Sequence, residues 1–129
     1  MSETLSVKWL KQAQNSVNQD PSFRSHGNVD TKMALKVGRS VYLISFEGFS
    51  CHGVRKIKQP DQREADFLVE MSQVTWDKFL AGRRDGDGLT LAELDTIEGI
   101  VTADPRKKLD FYRYHVSLQA FLDAGALAA

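Results

Sequence analysis

The chain has 129 residues, 42% of them hydrophobic and 26% charged, with 17 Lys and Arg against 17 Asp and Glu and a net charge of zero. A single domain of this length, 1–129, buries roughly two-thirds of the surface its unfolded chain exposes and needs no covalent staple; the one cysteine, Cys51, permits no internal disulfide. The charge balance argues against nucleic acid as a partner, because phosphate binding asks for a local excess of positive charge.

The N-terminal MSETLSVKWLKQAQ is polar, without an apolar signal core, and no apolar run is long enough to span a bilayer. With one cysteine, this predicts a cytoplasmic protein with no integral membrane segment. Leu5, Val7, Trp9, Leu10 and Ala13 recur on one side of a polar background up to Gln19, the pattern of an amphipathic opening helix. Asp20-Pro21 ends that helix, because Pro restricts the residue before it, and Phe23 to Asn28 reads as a loop.

Val29, Thr31, Met33, Leu35 and Val37 then alternate with Asp30, Lys32, Ala34 and Lys36, the signature of a strand. Gly38-Arg39 turns the chain into SVYLISF (40–46), a β-branched and aromatic strand with both faces covered. Glu47-Gly48 turns it again into FSCHGVRKI (49–57), with a bulge expected at Gly53. Three strands joined by tight turns make an antiparallel meander. After a loop at Gln59-Pro60-Asp61-Gln62, ADFLVEM supplies a fourth strand with Ala65, Phe67, Val69 and Met71 on one face.

Ser72 can cap the helix that follows, in which Trp76, Phe79 and Leu80 share a face and Gly82 is the expected stop. The loop RRDGDG comes next. Thr90-Leu91-Ala92-Glu93 is a capping box opening a helix whose buried stripe is expected to be Leu91, Leu94 and Ile97. Gly99 to Thr102 is a short fifth strand, and Asp104-Pro105 starts a last helix reaching about Asp123, leaving DAGALAA as a frayed end. That helix carries Leu109, Tyr112 and Val116 on one side and Phe111, Tyr114, Leu118 and Leu122 on another, an arc wider than packing on one sheet requires. The expected fold is α+β: a five-stranded, mostly antiparallel sheet covered on one face by helices, in the order α-β-β-β-β-α-α-β-α.

The residues that could carry chemistry mostly read otherwise. DGDG at 85–88 fails the calcium-loop pattern, since the alignment puts Arg83 and Leu94 where liganding oxygens belong. Cys51 and His52 are strand neighbours pointing to opposite faces, so they form no dyad with each other. His26, His52 and His115 lack metal-ligand spacing, and no metal is expected. Asp66 with Glu70, and Asp104 with Asp110, are carboxylate pairs without a visible cleft. The basic groupings Arg55-Lys56-Ile57-Lys58 and Arg106-Lys107-Lys108 read as solvated surface. What remains is a surplus of large apolar side chains, among them Phe67, Trp76, Phe79, Phe111, Tyr112, Tyr114, Leu118 and Phe121, better accounted for by a core plus a cavity or apolar interface.

The run ADFLVEMS, WDKFLAGRRDG and IEGIVTADPRKKLDFYRYHVSLQAFL resembles the sterol carrier protein type 2 domain family over roughly 29–122, most strongly after 64. The matching residues are Ala65-Asp66, Ser72, Phe79, Gly82, Gly99, Val101, Asp104 and Leu109; Ala103-Asp104-Pro105 departs from the family's Gly-Asp turn, and the peroxisomal C-terminal tripeptide of some eukaryotic members is absent, which points to a bacterial-type cytosolic member. The resemblance implies a non-enzymatic protein with no cofactor, binding or transferring a fatty acid, acyl-CoA or sterol-like lipid in a hydrophobic tunnel. Phe67, Val69, Trp76, Phe79, Leu80, Phe111, Tyr112 and Leu118 are the expected ligand-binding residues. Ten buried methylenes would contribute about 8 kcal/mol gross, micromolar before ordering costs and suited to a carrier that must release its load. The alternatives are a homodimeric accessory or interaction domain that pairs through its last helix, and an enzyme on a cone-shaped α+β fold. Such cone folds begin with several helices and end on a strand, which this chain does not.

Overall fold

A computed structural model describes residues 5–58, 64–86 and 88–128, with the side chain of 128 excepted. The expected loop at 59–62 and residue 87 of the DGDG turn lie outside the described residues.

The first helix, α1 (Val7–Asn18), is capped by Ser6, whose hydroxyl accepts from the Trp9 amide, and it buries Trp9, Leu10, Ala13 and Val17. A second, five-residue helix, α2 (Pro21–Ser25), follows where a loop was expected. The reason is local: Asp20 caps it by accepting from the Ser22 amide, with Pro21 at its first position, and Phe23 is buried. An Asp-Pro pair stops the helix behind it, but it also starts the one ahead.

The strands are β1 (Thr31–Val37), β2 (Ser40–Glu47), β3 (Ser50–Ile57), β4 (Phe67–Met71) and β5 (Val101–Thr102), in the spatial order β3-β2-β1-β4-β5. The β1-β2-β3 meander is antiparallel, as is the β4-β5 pair, whereas β4 lies parallel to β1. In β3 the register jumps, with Phe46 opposite Cys51 and Ser45 opposite Gly53, so His52 is the extra residue of a bulge beside Gly53. The bulge helps turn Cys51 inward, where burial pushes its thiol up to about 12, while His52 stays on the surface. Asn18 and Gln14 of α1 lock onto the same point: the Cys51 amide donates to Asn18 Oδ1 at 2.8 Å, and Cys51 O accepts from both side-chain amides.

Three more helices complete the chain: α3 (Gln73–Asp85), α4 (Leu91–Glu98) and α5 (Pro105–Ala128). With β4 before them and β5 between α4 and α5, the order agrees with the expected one apart from the added α2. Helix α3 runs straight through Gly82 and stops at Gly86, which adopts φ 83°. Gly82 serves a different purpose, because a Cβ there would stand 2.7 Å from the Cα of Gly88, where the following turn folds back on the helix. Gly99, expected to open β5, is instead the left-handed cap of α4, and the capping box at Thr90 and Glu93 is formed in both directions.

The last helix continues past Asp123 rather than fraying, with Ala126 buried at 1% exposure. At Gly125 an added Cβ would sit 2.4 Å from the Trp9 ring, so a residue without a side chain is what lets the indole of α1 lie against α5.

The sheet has two unlike faces. All five helices contribute to the core cluster on one face, together with Met33, Leu35, Tyr42, Ile44, Phe67 and Val69. A second, smaller cluster of Ala34, Leu43 and Ala65 occupies the other face, flanked by Ile57 and Leu68. Ala65, expected beside Phe67, therefore packs on the opposite side: it precedes β4, where the strand alternation does not yet hold.

Candidate functional site

Seven of the eight expected lining residues come together in the helix-covered layer. Phe67, Val69, Trp76, Phe79, Leu80, Phe111 and Leu118 are all below 5% exposed and belong to one cluster. The local reasons are those of the sequence: alternation on β4 turns Phe67 and Val69 inward, and the i, i+3, i+4 spacing on α3 places Trp76, Phe79 and Leu80 on one stripe. Opposite them, α5 presents Phe111, Leu118, Phe121 and Leu122, each wholly buried.

The rings contact one another edge to face. Phe67 meets Phe111 at 5.6 Å between centroids, Phe46 meets Phe121 at 5.4 Å, and Trp9 meets Trp76 at 5.4 Å; Trp76 in turn stacks on Phe79 at 5.9 Å. These are the favoured offset and T-shaped geometries, each contributing about 0.5–1.5 kcal/mol beyond area burial.

Tyr112 is placed elsewhere. The residue is 39% exposed and its hydroxyl donates to Asp95 Oδ2 at 2.5 Å. It shares the outer side of α5 with Leu109 and Val116, which are 69% and 50% exposed, and α4 adds Ile97 at 67%. Ile97 was expected to be buried; Asp95 takes the inward place instead. The Asp95 carboxylate accepts from the Val101 amide at 2.9 Å as well as from Tyr112, with Lys108 Nζ 3.4 Å away. Burial pulls its pKa up, but the hydrogen bonds from Tyr112 and Val101 and the charge of Lys108 outweigh that and hold it below the ordinary aspartate value. The same bond holds the Tyr112 phenol above its ordinary value.

Other polar side chains inside the molecule are likewise satisfied by protein groups. Tyr42 donates to the Leu5 carbonyl at 2.9 Å, Gln119 Oε1 accepts from the Leu91 amide at 2.7 Å, and Gln119 Nε2 donates to Asp123 at 2.8 Å. Arg83 reaches the same Asp123 through Nε at 2.8 Å and Nη2 at 3.0 Å, tying α3 to α5, while Arg84 donates to the Ala126 carbonyl at 2.7 Å. These ties span about forty residues of chain and have no signature in the sequence. One buried side-chain nitrogen differs: among the described residues, Trp76 Nε1 has no hydrogen-bond partner, though Trp76 is 0% exposed. An unmade bond at a buried donor costs about 1–3 kcal/mol.

Of the carboxylates considered in the sequence, Asp66, Glu70 and Asp104 have structural partners. Asp66 accepts from the Thr31 hydroxyl at 2.8 Å and the Lys32 amide at 3.0 Å, pinning the entry of β4 to β1. Glu70 pairs with Lys36 at 3.3 Å, and Asp104 caps α5 by accepting from the Lys107 amide. Asp66 also borders an open depression of about 640 Å³, lined by Asp30, Lys32, Glu47, His52 and Glu64, with Phe46 also at its wall. Its charged wall is the wrong chemistry for an apolar ligand. Among the described residues no cluster of His, Cys, Asp or Glu is arranged to hold a metal ion, and no helix is long and apolar enough to cross a membrane.

No protein-family model matches the chain, and no curated protein matches it by sequence. Solved structures do. The crystal structure of sterol carrier protein 2 superposes with a TM-score of 0.75 at 17% identity, covering 98% of this chain and 100% of that one. The fold is that of sterol carrier protein 2. A solution structure of a conserved hypothetical protein from Thermus thermophilus, suggested to be a sterol carrier protein, gives a TM-score of 0.74 at 17% identity over 100% of this chain and 92% of that one. The sterol-carrier architecture thus extends over the whole chain, including α1, which lies before the stretch where the sequence resemblance begins.

Proposed function

We propose that the chain binds an apolar ligand, a fatty acid, acyl-CoA or sterol-like lipid, between its sheet and helices α3 and α5, and carries it without chemical change. The observation that carries this reading is the likeness of fold, along essentially the full length of both chains, to a protein named for carrying sterol. The interior supports it: Phe67, Val69, Trp76, Phe79, Leu80, Phe111 and Leu118 line one continuous apolar layer. Where Phe67 meets Phe111 and Trp76 meets Phe79, the ligand is admitted by separation of these rings, as α3 and α5 ease away from β4. The gain of about 0.8 kcal/mol per buried methylene has to exceed the loss of ring contacts, which favours a long chain over a small solute.

Organic extraction of the purified protein followed by mass spectrometry should recover a lipid, and an environment-sensitive apolar dye should be taken up with a blue-shifted emission. Recovery of no lipid together with no dye uptake rejects the carrier reading.

A second reading is favoured by the outer stripe of α5. Leu109, Tyr112 and Val116 are exposed at helical spacing, an arrangement suited to pairing with a second copy of the chain. Sedimentation at micromolar concentration should then show a dimer that Leu109→Asp dissociates. A monomeric wild-type protein removes this reading and leaves the first untouched.

A further inference from the structure

The treatment of buried polar groups is uneven in a way that points to the ligand. Tyr42, Asp95 and Gln119 all find protein partners. Trp76 does not, although it lies at the meeting point of α1, α3 and the aromatic layer. A Phe at position 76 would fill much of the same space between Trp9 and Phe79 and leave no donor unmade. An indole N–H held in an apolar layer is a donor available to a guest.

The surroundings restrict that guest. Trp76 lies between the Trp9 and Phe79 rings, among buried apolar side chains. An ionised carboxylate brought into such an apolar layer would lose its hydration, whereas an uncharged oxygen needs only the one hydrogen bond.

We propose that Trp76 Nε1–H anchors the ligand through an uncharged oxygen acceptor, so that the ligand is a long apolar alcohol, ketone or ester rather than a fatty-acid anion. This rests on the carrier reading above and narrows it. The apolar body lies along Phe67, Phe111 and Leu118, and the indole hydrogen bond fixes which end enters the α3 side.

The test uses the 15N-labelled full chain titrated at pH 8 with 1-decanol, decane and decanoate from ethanol stocks. The protein has two tryptophans, so its indole N–H cross-peaks are assigned with a single variant, Trp9→Phe. 1-Decanol should bind about tenfold more tightly than decane, the range of one neutral hydrogen bond, and should move the Trp76 indole proton downfield; decanoate should bind no better than decane. Trp76→Phe should abolish the tenfold preference for the alcohol over the alkane. Equal affinity for alcohol and alkane, tighter binding of decanoate than of decanol, or an unmoved Trp76 cross-peak overturns the assignment while leaving an apolar carrier intact. Binding of none of the three defeats the carrier reading and this inference together. Should Trp76→Phe fail to fold, the wild-type affinities and the indole shift decide the matter alone.

Discussion

The two faces of the sheet come from the same strands and yet make different kinds of interior. Inward, Met33, Leu35, Tyr42, Ile44, Phe67 and Val69 meet five helices and several edge-to-face ring pairs. Outward, Ala34, Leu43 and Ala65 form a thin cluster beside the cross-strand pair of Lys36 and Glu70. Period-two alternation supplies both faces at once. What differs is the layer above: helices can bring large rings to cover large rings, whereas a face without helices can only lay its own side chains over small ones. The inner face therefore carries the greater apolar depth, and the outer face carries the Lys36–Glu70 ion pair.

Truncations on the two faces should cost different amounts. Phe111→Ala removes a ring wholly buried against Phe67 and should destabilise by about 3–5 kcal/mol, read as a lowered denaturation midpoint at unchanged slope. A loss equal to that of an outer-face residue would mean that the inner layer is loosely packed. Gly125→Ala forces a methyl group into the Trp9 ring and should cost about 2–3 kcal/mol, with a change in Trp9 emission marking the displaced α1–α5 contact. Leu43→Ala, in the thin outer cluster, should cost about 2 kcal/mol and leave dye uptake unchanged.

The smallest effect lies outside both clusters, at the Asp95–Tyr112 bond. Tyr112→Phe should cost about 1 kcal/mol at neutral pH. Its signature is in the pH dependence. The folded-state pKa of Asp95 lies below the unfolded value of 3.8, so its contribution is present above that value and is lost as the pH falls through the folded pKa. The Tyr112 pKa lies above 10.0, so its contribution is present below that value and is lost as the pH rises through the folded pKa. The stability difference between wild type and Tyr112→Phe should thus be flat between these limits and shrink outside them. A difference that stays constant into acid and alkali would mean the bond contributes nothing.

Much of this architecture was legible in the chain. The strands, the Ser72 cap, the Thr90 capping box and the Trp76–Phe79–Leu80 stripe rest on short-range patterns, and short-range patterns survive whatever the rest of the fold does. The misreadings arose where a local signal had two meanings. Asp20-Pro21 both ends α1 and begins α2. Gly82 has the residue type of a helix stop, but its lack of a side chain serves a close approach to Gly88, and Gly86 does the stopping. DAGALAA has too little hydrophobicity to order itself, yet Gly125 beneath Trp9 and the Arg84 bond to Ala126 hold residues 123–128 in the helix. At the candidate site the sequence had Phe67, Val69 and the α3 residues on a shared interior; it put Tyr112 and Phe111 on different sides of the last helix but counted both as lining, because it did not say which side faces inward.

The amino-acid order by itself determined the elements, the alternation of the sheet and the two apolar sides of α5, since each depends on neighbours within a turn or a strand. Only the tertiary structure decided which side of α5 faces inward: Phe111, Leu118 and Leu122 are buried while Leu109 and Val116 are exposed. That choice is a rotation of the helix about its own axis, and it is set by contacts with residues far away in sequence, Trp9 on Gly125 and Arg83 on Asp123.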